Sequence, residues 1–512
     1  MIKIQTSRTN KFLINTISTT ILQIVMIISA FIIPRMMVTY YGSEVNGLVS
    51  SITQFVAYLA LIEGGLSAVT TFSLFKPIAN RNIEIINRIL IASRNFYYKI
   101  GFYFLAVIFV GAFFYPFIVK SSSFSYYDVF FLVLIIGSNS ILEFFTLAKY
   151  RALLTADQKT YIISIATIVQ VIVFTFIVVF LSTFQINVVI IRLFALISIF
   201  IRSLILICYC KSSYKFIDFN GKPLYEALDQ RWSALYLQIL GMINTGAPII
   251  IITLMLDLNS VSIYTVYYLV INGINTTLSI FTGSVSSGFG DLIAVGNQKS
   301  FRKAFSHFHY VYMMILPIVY SVTSVMYIPF ISLYMKDADI NYIFPTLAYL
   351  MAINGFLYNI KTPQGMLVIA AGKYKETRLQ TTSQALIIII IGPILTLYHG
   401  INGLMIAMIL SNLYRIIDLL IYTSKFIVHK YLKVAVFKTV ISILSYLGSI
   451  IAIYLVMDLA SNSFLEWISK AIIALLITTL ITFIFNFLSN FSEMKEIYFR
   501  IKQIFTRKTG EQ

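Results

Sequence analysis

The sequence is short of charge and nearly free of cysteine. Only 11% of its residues are Asp, Glu, Lys or Arg, against about 25% in soluble domains, so a water-soluble fold has too few charged groups to cover its surface. Cys208 and Cys210, in Ile-Cys-Tyr-Cys, are the only two cysteines. They supply neither a disulfide framework nor a metal site and read as small apolar residues. His307, His309, His399 and His429 fall into no metal-binding spacing. Gly372-Lys373 lacks the remainder of a phosphate-binding loop. Asp337-Ala338-Asp339 imitates a metal–nucleotide-sugar motif, but it lies in a short loop with no accompanying domain and reads as chance. With no triad or cofactor motif either, the expectation is no cofactor, no metal and no enzymatic activity.

What the chain has in excess is apolar length. Hydrophobic residues make up 59% and the mean hydropathy is +0.87, which predicts an all-α integral membrane protein. At about 20 apolar residues per crossing, the runs predict about fourteen transmembrane helices. Six centre near Ile24, Tyr58, Ala106, Ile135, Val169 and Leu196, and six near Met242, Asn272, Ile315, Met351, Ile388 and Leu410. Two more centre near Leu447 and Leu476. The first run, 12–37, exceeds the core of a signal peptide, about 7–15 residues, and lacks a cleavage site, so it reads as a retained helix.

The net charge of +18 does not indicate nucleic acid, because the cations are not gathered on one face. They fall instead in alternate gaps between the apolar runs: Lys76 and Arg81; Lys149, Arg151 and Lys159; Lys211 and Lys215; Lys299, Arg302 and Lys303; Lys373 and Lys375; Lys430 and Lys433. The opposite gaps keep only Lys120, Lys336 and Lys470. With Lys3, Arg8 and Lys11 at the start and Lys495 in the tail, the positive-inside rule places both termini in the cytoplasm.

Two landmarks recur roughly 215 residues apart, the mark of an internal duplication. In 41–90 and again in 257–308, an apolar span with small residues leads into an amphipathic segment. The first has Ile83, Ile86, Ile89 and Leu90 on one side and is expected to lie flat on the inner membrane surface; the second has Phe301, Ala304, Phe305 and Phe308. The second landmark pairs Leu-Leu-Thr-Ala-Asp-Gln-Lys at 153–159 with Val-Ile-Ala-Ala-Gly-Lys-Tyr at 368–374. An offset of about six helices makes the copies parallel repeats. The expected division is a first lobe, 1–210; a cytoplasmic linker, 211–231; a second lobe, 232–428; two extra spans, 429–490; and a basic tail, 491–512. Pro34, Gly64-Gly65, Pro248, Gly283, Gly288 and Pro317 are read as interruptions of spans, serving either as gates or as packing points.

An ionisable group at membrane depth costs about 2.5–3.5 kcal/mol on insertion scales and demands a partner or a wet lumen. Arg415 and Asp418, spaced i, i+3, are expected to neutralise one another. Lys149 and Arg151 are within reach of the headgroups by snorkelling. Arg35, Arg192 and Arg202 have no carboxylate within a turn on their own helices, and guanidinium forks suit phosphate oxygens. They are the candidates for a cationic, substrate-binding lumen, together with Lys149 and Lys361. Glu63 and Glu143 are either their counter-ions or groups that exchange a coupling cation.

The duplicated lobes, the block Tyr-Gly-Ser-Glu-Val-Asn-Gly-Leu-Val-Ser-Ser-Ile from Tyr41, Ile-Glu-Gly-Gly-Leu-Ser-Ala-Val-Thr-Thr-Phe-Ser-Leu-Phe-Lys-Pro-Ile-Ala from Ile62, and Leu-Leu-Thr-Ala-Asp-Gln-Lys-Thr-Tyr from Leu153 together resemble one known family. It is the polysaccharide-transporter, Wzx-type flippase branch of the multidrug/oligosaccharidyl-lipid/polysaccharide (MOP) exporter superfamily. The resemblance implies a MATE-like, V-shaped pair of six-helix lobes plus two C-terminal helices. It implies alternating access for an undecaprenyl-diphosphate-linked oligosaccharide at the bacterial cytoplasmic membrane, for capsule or O-antigen assembly. A coupling ion, H+ or Na+, and a polysaccharide polymerase as partner are implied likewise. Alternatives within the superfamily are a cation-coupled multidrug antiporter, which needs a cavity carboxylate such as Glu63, and a lipid II flippase.

Overall fold

A computed structural model describes residues 8–119, 124–228, 231–373 and 375–508. Lys3, Lys120 and Tyr374 lie outside the described residues. Apolar composition gives helices throughout. In chain order they are α1 (Arg8–Tyr41), α2 (Ser43–Leu59), α3 (Leu61–Ala79), α4 (Ile83–Ile118), α5 (Tyr126–Thr146), α6 (Ala148–Ala156), α7 (Thr160–Thr183), α8 (Val188–Ala195) and α9 (Ile197–Ser213). Then follow α10 (Arg231–Met255), α11 (Leu258–Ala294), α12 (Gln298–Tyr334), α13 (Pro345–Ile360), α14 (Thr362–Ala370), α15 (Arg378–Leu386), α16 (Gly392–Phe426), α17 (Leu432–Val456) and α18 (Phe464–Lys508). Among the described residues, nine helical stretches are long and apolar enough to cross a membrane.

The chain packs as two units: Met1–Leu269 with Asp337–Ile340, and Val270–Lys336 with Asn341–Gln512. The repeat and the packing therefore divide the chain at different places. Helix α10, which the sequence groups with the second copy, lies against α2 and α3 of the first unit. There the Ser51 and Thr253 hydroxyls meet at 2.6 Å, and Tyr58 donates to the Met242 carbonyl at 3.1 Å. A Cβ on Gly65 would come within 2.9 Å of the Leu235 backbone nitrogen. Gly65 is thus a contact glycine inside α3, and the expected break at Gly64-Gly65 is corrected. The interruption comes earlier, at Ala60, between α2 and α3.

The other predicted interruptions are corrected in the same way. Helices run unbroken through Pro34, Pro248, Gly283, Gly288 and Pro317. Breaks occur instead at Leu147, Leu196 and Lys361, and α16 kinks at Gly400 (φ 55°, ψ −139°). That backbone region is open to glycine and strained for other residues.

The amphipathic segment expected to lie flat is the first turns of α4, a single helix of 36 residues. At about 1.5 Å per residue it outruns a hydrocarbon core of about 30 Å. Ile86, Ile89 and Leu90 bury their apolar edge against Leu74, Leu147 and Leu153, not against lipid headgroups. The corresponding segment in the second copy likewise opens α12, of 37 residues.

The repeat is visible in turn chemistry. Asn82 caps α4 by accepting from the Ile85 amide, and Asn297 caps α12 by accepting from the Ser300 amide. The residues before these caps, Arg81 and Gly296, both have positive φ (53° and 75°). The second landmark ends α6 and α14 with left-handed residues, Gln158 (φ 58°) and Gly372 (φ 67°). The following amides reach back: Lys159 to the Leu154 carbonyl at 2.8 Å and Lys373 to the Val368 carbonyl at 3.0 Å, a helix-terminating arrangement that tolerates glycine best.

Candidate functional site

The break at Leu147 lets α5 and α6 carry two groups that meet. Glu143 and Arg151 are eight residues apart, about 12 Å along a straight helix, yet their side chains form an ion pair. The same Arg151 Nη1 donates to Glu63 of α3 at 3.1 Å. From α9, Arg202 Nη2 donates to Glu143 at 3.4 Å and its Nη1 to Gln170 of α7 at 3.2 Å. Five helices are thus tied by two carboxylates, two guanidinium groups and one amide. The charges cancel, which is what a low-dielectric interior requires of buried ions.

Of the two acids read as possible counter-ions of Arg35, Arg192 and Arg202, Glu143 pairs with Arg202 and Glu63 pairs with Arg151. Arg151, assigned to the headgroups by the sequence, is the centre of the network. Sequence distance gave no sign of it, because Arg151 reaches Glu63 across 88 positions. Lys149, one face away on α6, stands over the rings of Tyr98, Tyr150 and Phe219, 5.0–5.5 Å from their centroids, a cation–π cage. Arg192 of α8 lies over Phe174 at 5.5 Å. Its Nε is buried and makes no hydrogen bond, so this guanidinium retains unused donors. Arg35 sits half-buried on α1.

In the second unit, Lys361 occupies the junction of α13 and α14, donating from Nζ to Asn412 at 2.7 Å and lying 4.6 Å from the Tyr358 ring centroid. Asn412 in turn donates to Asn354 at 2.8 Å. The expected Arg415–Asp418 pair is present at 2.5 Å, and Arg415 also donates to Thr381 at 2.9 Å. Gln170 and Arg202 in the first copy have Gln384 and Arg415 at nearly the same repeat offset in the second. The clusters differ in composition. Arg202 is joined by Glu143, Glu63 and Arg151 in the first, whereas Arg415 has the single acid Asp418 in the second, beside the amides Asn412 and Asn354 and Lys361.

Two contacts outside the sequence-derived set hold these elements. Asp157, after α6, accepts from Tyr214 at 2.6 Å, pairs with Lys159 at 2.8 Å and lies 3.8 Å from Lys11 of α1. Burial pushes its pKa up, but the bonds from Lys159 and Tyr214 and the nearby positive charges outweigh burial and hold the carboxyl below its ordinary value. Asp339, dismissed in the sequence as part of a chance motif, accepts from the Ser43 amide at 3.0 Å and the Ser43 hydroxyl at 2.5 Å. It caps α2 in place of Gly42, which has no side chain to do so.

No family model and no curated protein matches the sequence. Solved structures do match. A lipid II flippase, MurJ, in an inward closed conformation superposes with a TM-score of 0.71 at 16% identity, over 93% of this chain and 99% of its own. An inward-facing multidrug resistance MATE family transporter of the MOP superfamily gives 0.67 at 13%, over 80% of this chain and 97% of its own. A MOP superfamily transporter from Pyrococcus furiosus, described as having a binding pocket of reverse polarity, gives 0.59 at 12%, over 83% and 96%. At such identities the likeness establishes the fold alone. The chain is a multi-pass, all-helical membrane protein with the MOP-superfamily transporter fold.

Proposed function

We propose that this protein is a flippase, not an enzyme. It carries undecaprenyl-diphosphate-linked oligosaccharide from the inner to the outer leaflet of a bacterial cytoplasmic membrane by alternating access, supplying capsule or O-antigen-type assembly. Both termini lie in the cytoplasm, and the chain crosses fourteen times. That count treats α2–α3, α10, α11 and α13–α14 as one crossing each and 378–426 as two, divided at Gly400.

The observation that carries the cargo class is coverage. The flippase pairs with 93% of this 512-residue chain and the drug transporter with 80%, a difference of about 67 residues. That is about the size of 432–489, which holds α17 and the membrane part of α18. The two helices beyond the repeat thus support kinship with carriers of lipid-linked saccharide. Occupation of Glu63 and Glu143 by guanidinium partners disfavours a drug-cation site there.

In this reading Arg35 and Arg192 bind the diphosphate. Arg202 and Arg151 position the first unit around Glu143, Lys149 and Lys361 add positive potential, and Glu63 and Glu143 exchange the coupling H+ or Na+ when the network opens. A second reading, lipid II itself as cargo, is favoured by the name of the matching flippase; both cargoes present a polyprenyl diphosphate. Deletion of the gene tests the proposal. Oligosaccharide-linked lipid should accumulate on the cytoplasmic leaflet with drug sensitivity unchanged; drug hypersensitivity without accumulation would overturn it.

A further inference from the structure

At one end of the second unit a cavity of about 960 Å3 opens between the first turns of α12, the first turns of α17 and α18. Its floor is electrically settled. The buried Lys438 ammonium donates to Glu493 at 2.8 Å, to Ser306 Oγ at 2.8 Å and to the Tyr431 hydroxyl at 3.2 Å. Lys303 pairs with Glu496.

The remaining cations on the lining are not settled. Arg302 Nη2 donates to the neutral Lys430 carbonyl at 3.0 Å, and Arg302 has no carboxylate partner among the described residues. Lys299 and Lys433 are exposed and have no carboxylate partner among the described residues. The turn that frames the opening is strained, since His429 and Lys430 both hold positive φ (53° and 49°). Three uncompensated cations around one cavity at the end of a membrane bundle make a site for an anion.

The same helix says what bears the anion. From Lys433, positions 437, 440, 444, 447 and 451 form one face of α17, and Phe437, Val440, Leu444, Leu447 and Ile451 are all exposed. A cationic socket continues directly into an apolar stripe long enough for an acyl chain. We infer that this cavity binds the phosphate of an anionic phospholipid, with the headgroup held by Lys299, Arg302 and Lys433 and a chain along the α17 stripe. A free phosphate would use the socket but leave the stripe unused.

Native mass spectrometry of the full-length protein in detergent, titrated separately with phosphatidylglycerol, phosphatidylcholine and inorganic phosphate, tests this. Phosphatidylglycerol should bind more tightly than phosphatidylcholine. Lys299→Ala with Lys433→Ala should weaken it about 30-fold, or about 2 kcal/mol, and Lys433→Glu alone should also weaken it. Lys375→Ala, which removes a cation of the same unit outside the cavity, should leave it unchanged. Equal affinity for the two lipids, or an equal loss in Lys375→Ala, would overturn the site. Inorganic phosphate binding as tightly as phosphatidylglycerol would overturn the lipid as its occupant.

Discussion

At the scale of single residues, Arg151 is the most consequential side chain in the first unit. It serves two carboxylates at once, and its loss leaves Glu63 without an ion-pair partner, and Glu143 with Arg202, among the described residues. Removing one member of a buried ion network costs about 3–5 kcal/mol, because the uncompensated charge stays buried. Arg151→Ala should therefore lower the thermal midpoint in detergent sharply, and adding Glu63→Gln should restore part of it. Additive losses would contradict the network.

Asp157 offers a test with a sign. Its carboxyl is held below the ordinary value, so its contribution to stability is present above about pH 3.9 and is lost as pH falls through the lower folded value. Tyr214→Phe removes the 2.6 Å bond and should cost about 1–2 kcal/mol. It should also move the acid-unfolding midpoint upward; an unmoved midpoint would contradict this assignment.

Charge by charge, the sequence was legible where partners are local and opaque where they are not. Arg415 and Asp418 are three residues apart on one helix, and periodicity found them. Arg151 with Glu63 and Asp339 with Ser43 are 88 and 296 positions apart, and only the tertiary fold joins them.

At the scale of elements, close crossings and caps carry the load. A Cβ on Gly47 of α2 would lie 1.9 Å from the Leu258 carbonyl oxygen, where α11 begins. That atom is backbone and has nowhere to go. Gly47→Ala should destabilise by at least about 1–3 kcal/mol, read as a lower thermal midpoint, whereas Gly273→Ala, which meets nothing within 4 Å, should not. Asp339→Ala uncaps α2 and should cost about 0.5–2 kcal/mol; Asp337→Ala is the control.

Helical character and the matching turn residues of the two landmarks were readable because apolar length and turn chemistry are local signals, while nine helical stretches among the described residues meet the length and apolarity of a crossing. Break positions were not. Proline and glycine marked candidates, but in a membrane bundle neighbouring helices accommodate them, and the chain bends at Leu147 and Lys361, where buried polar networks form.

At the scale of the whole molecule, solved structures of the same fold carry different cargoes, so the fold does not choose a cargo and the proposed one rests on charge. The unit that carries Arg35 and Arg192 holds Glu63 and Glu143 in ion pairs, and the proposed anionic diphosphate cargo rests on that balance. The most direct measurement is flipping by the purified protein in liposomes, with a fluorescent polyprenyl-diphosphate oligosaccharide and a matched polyprenyl glycoside lacking phosphate. The account predicts transfer of the diphosphate lipid alone, reduced at least tenfold by Arg192→Ala with the protein still folded. Equal transfer of both lipids, or full transfer by Arg192→Ala and Arg35→Ala, would contradict it.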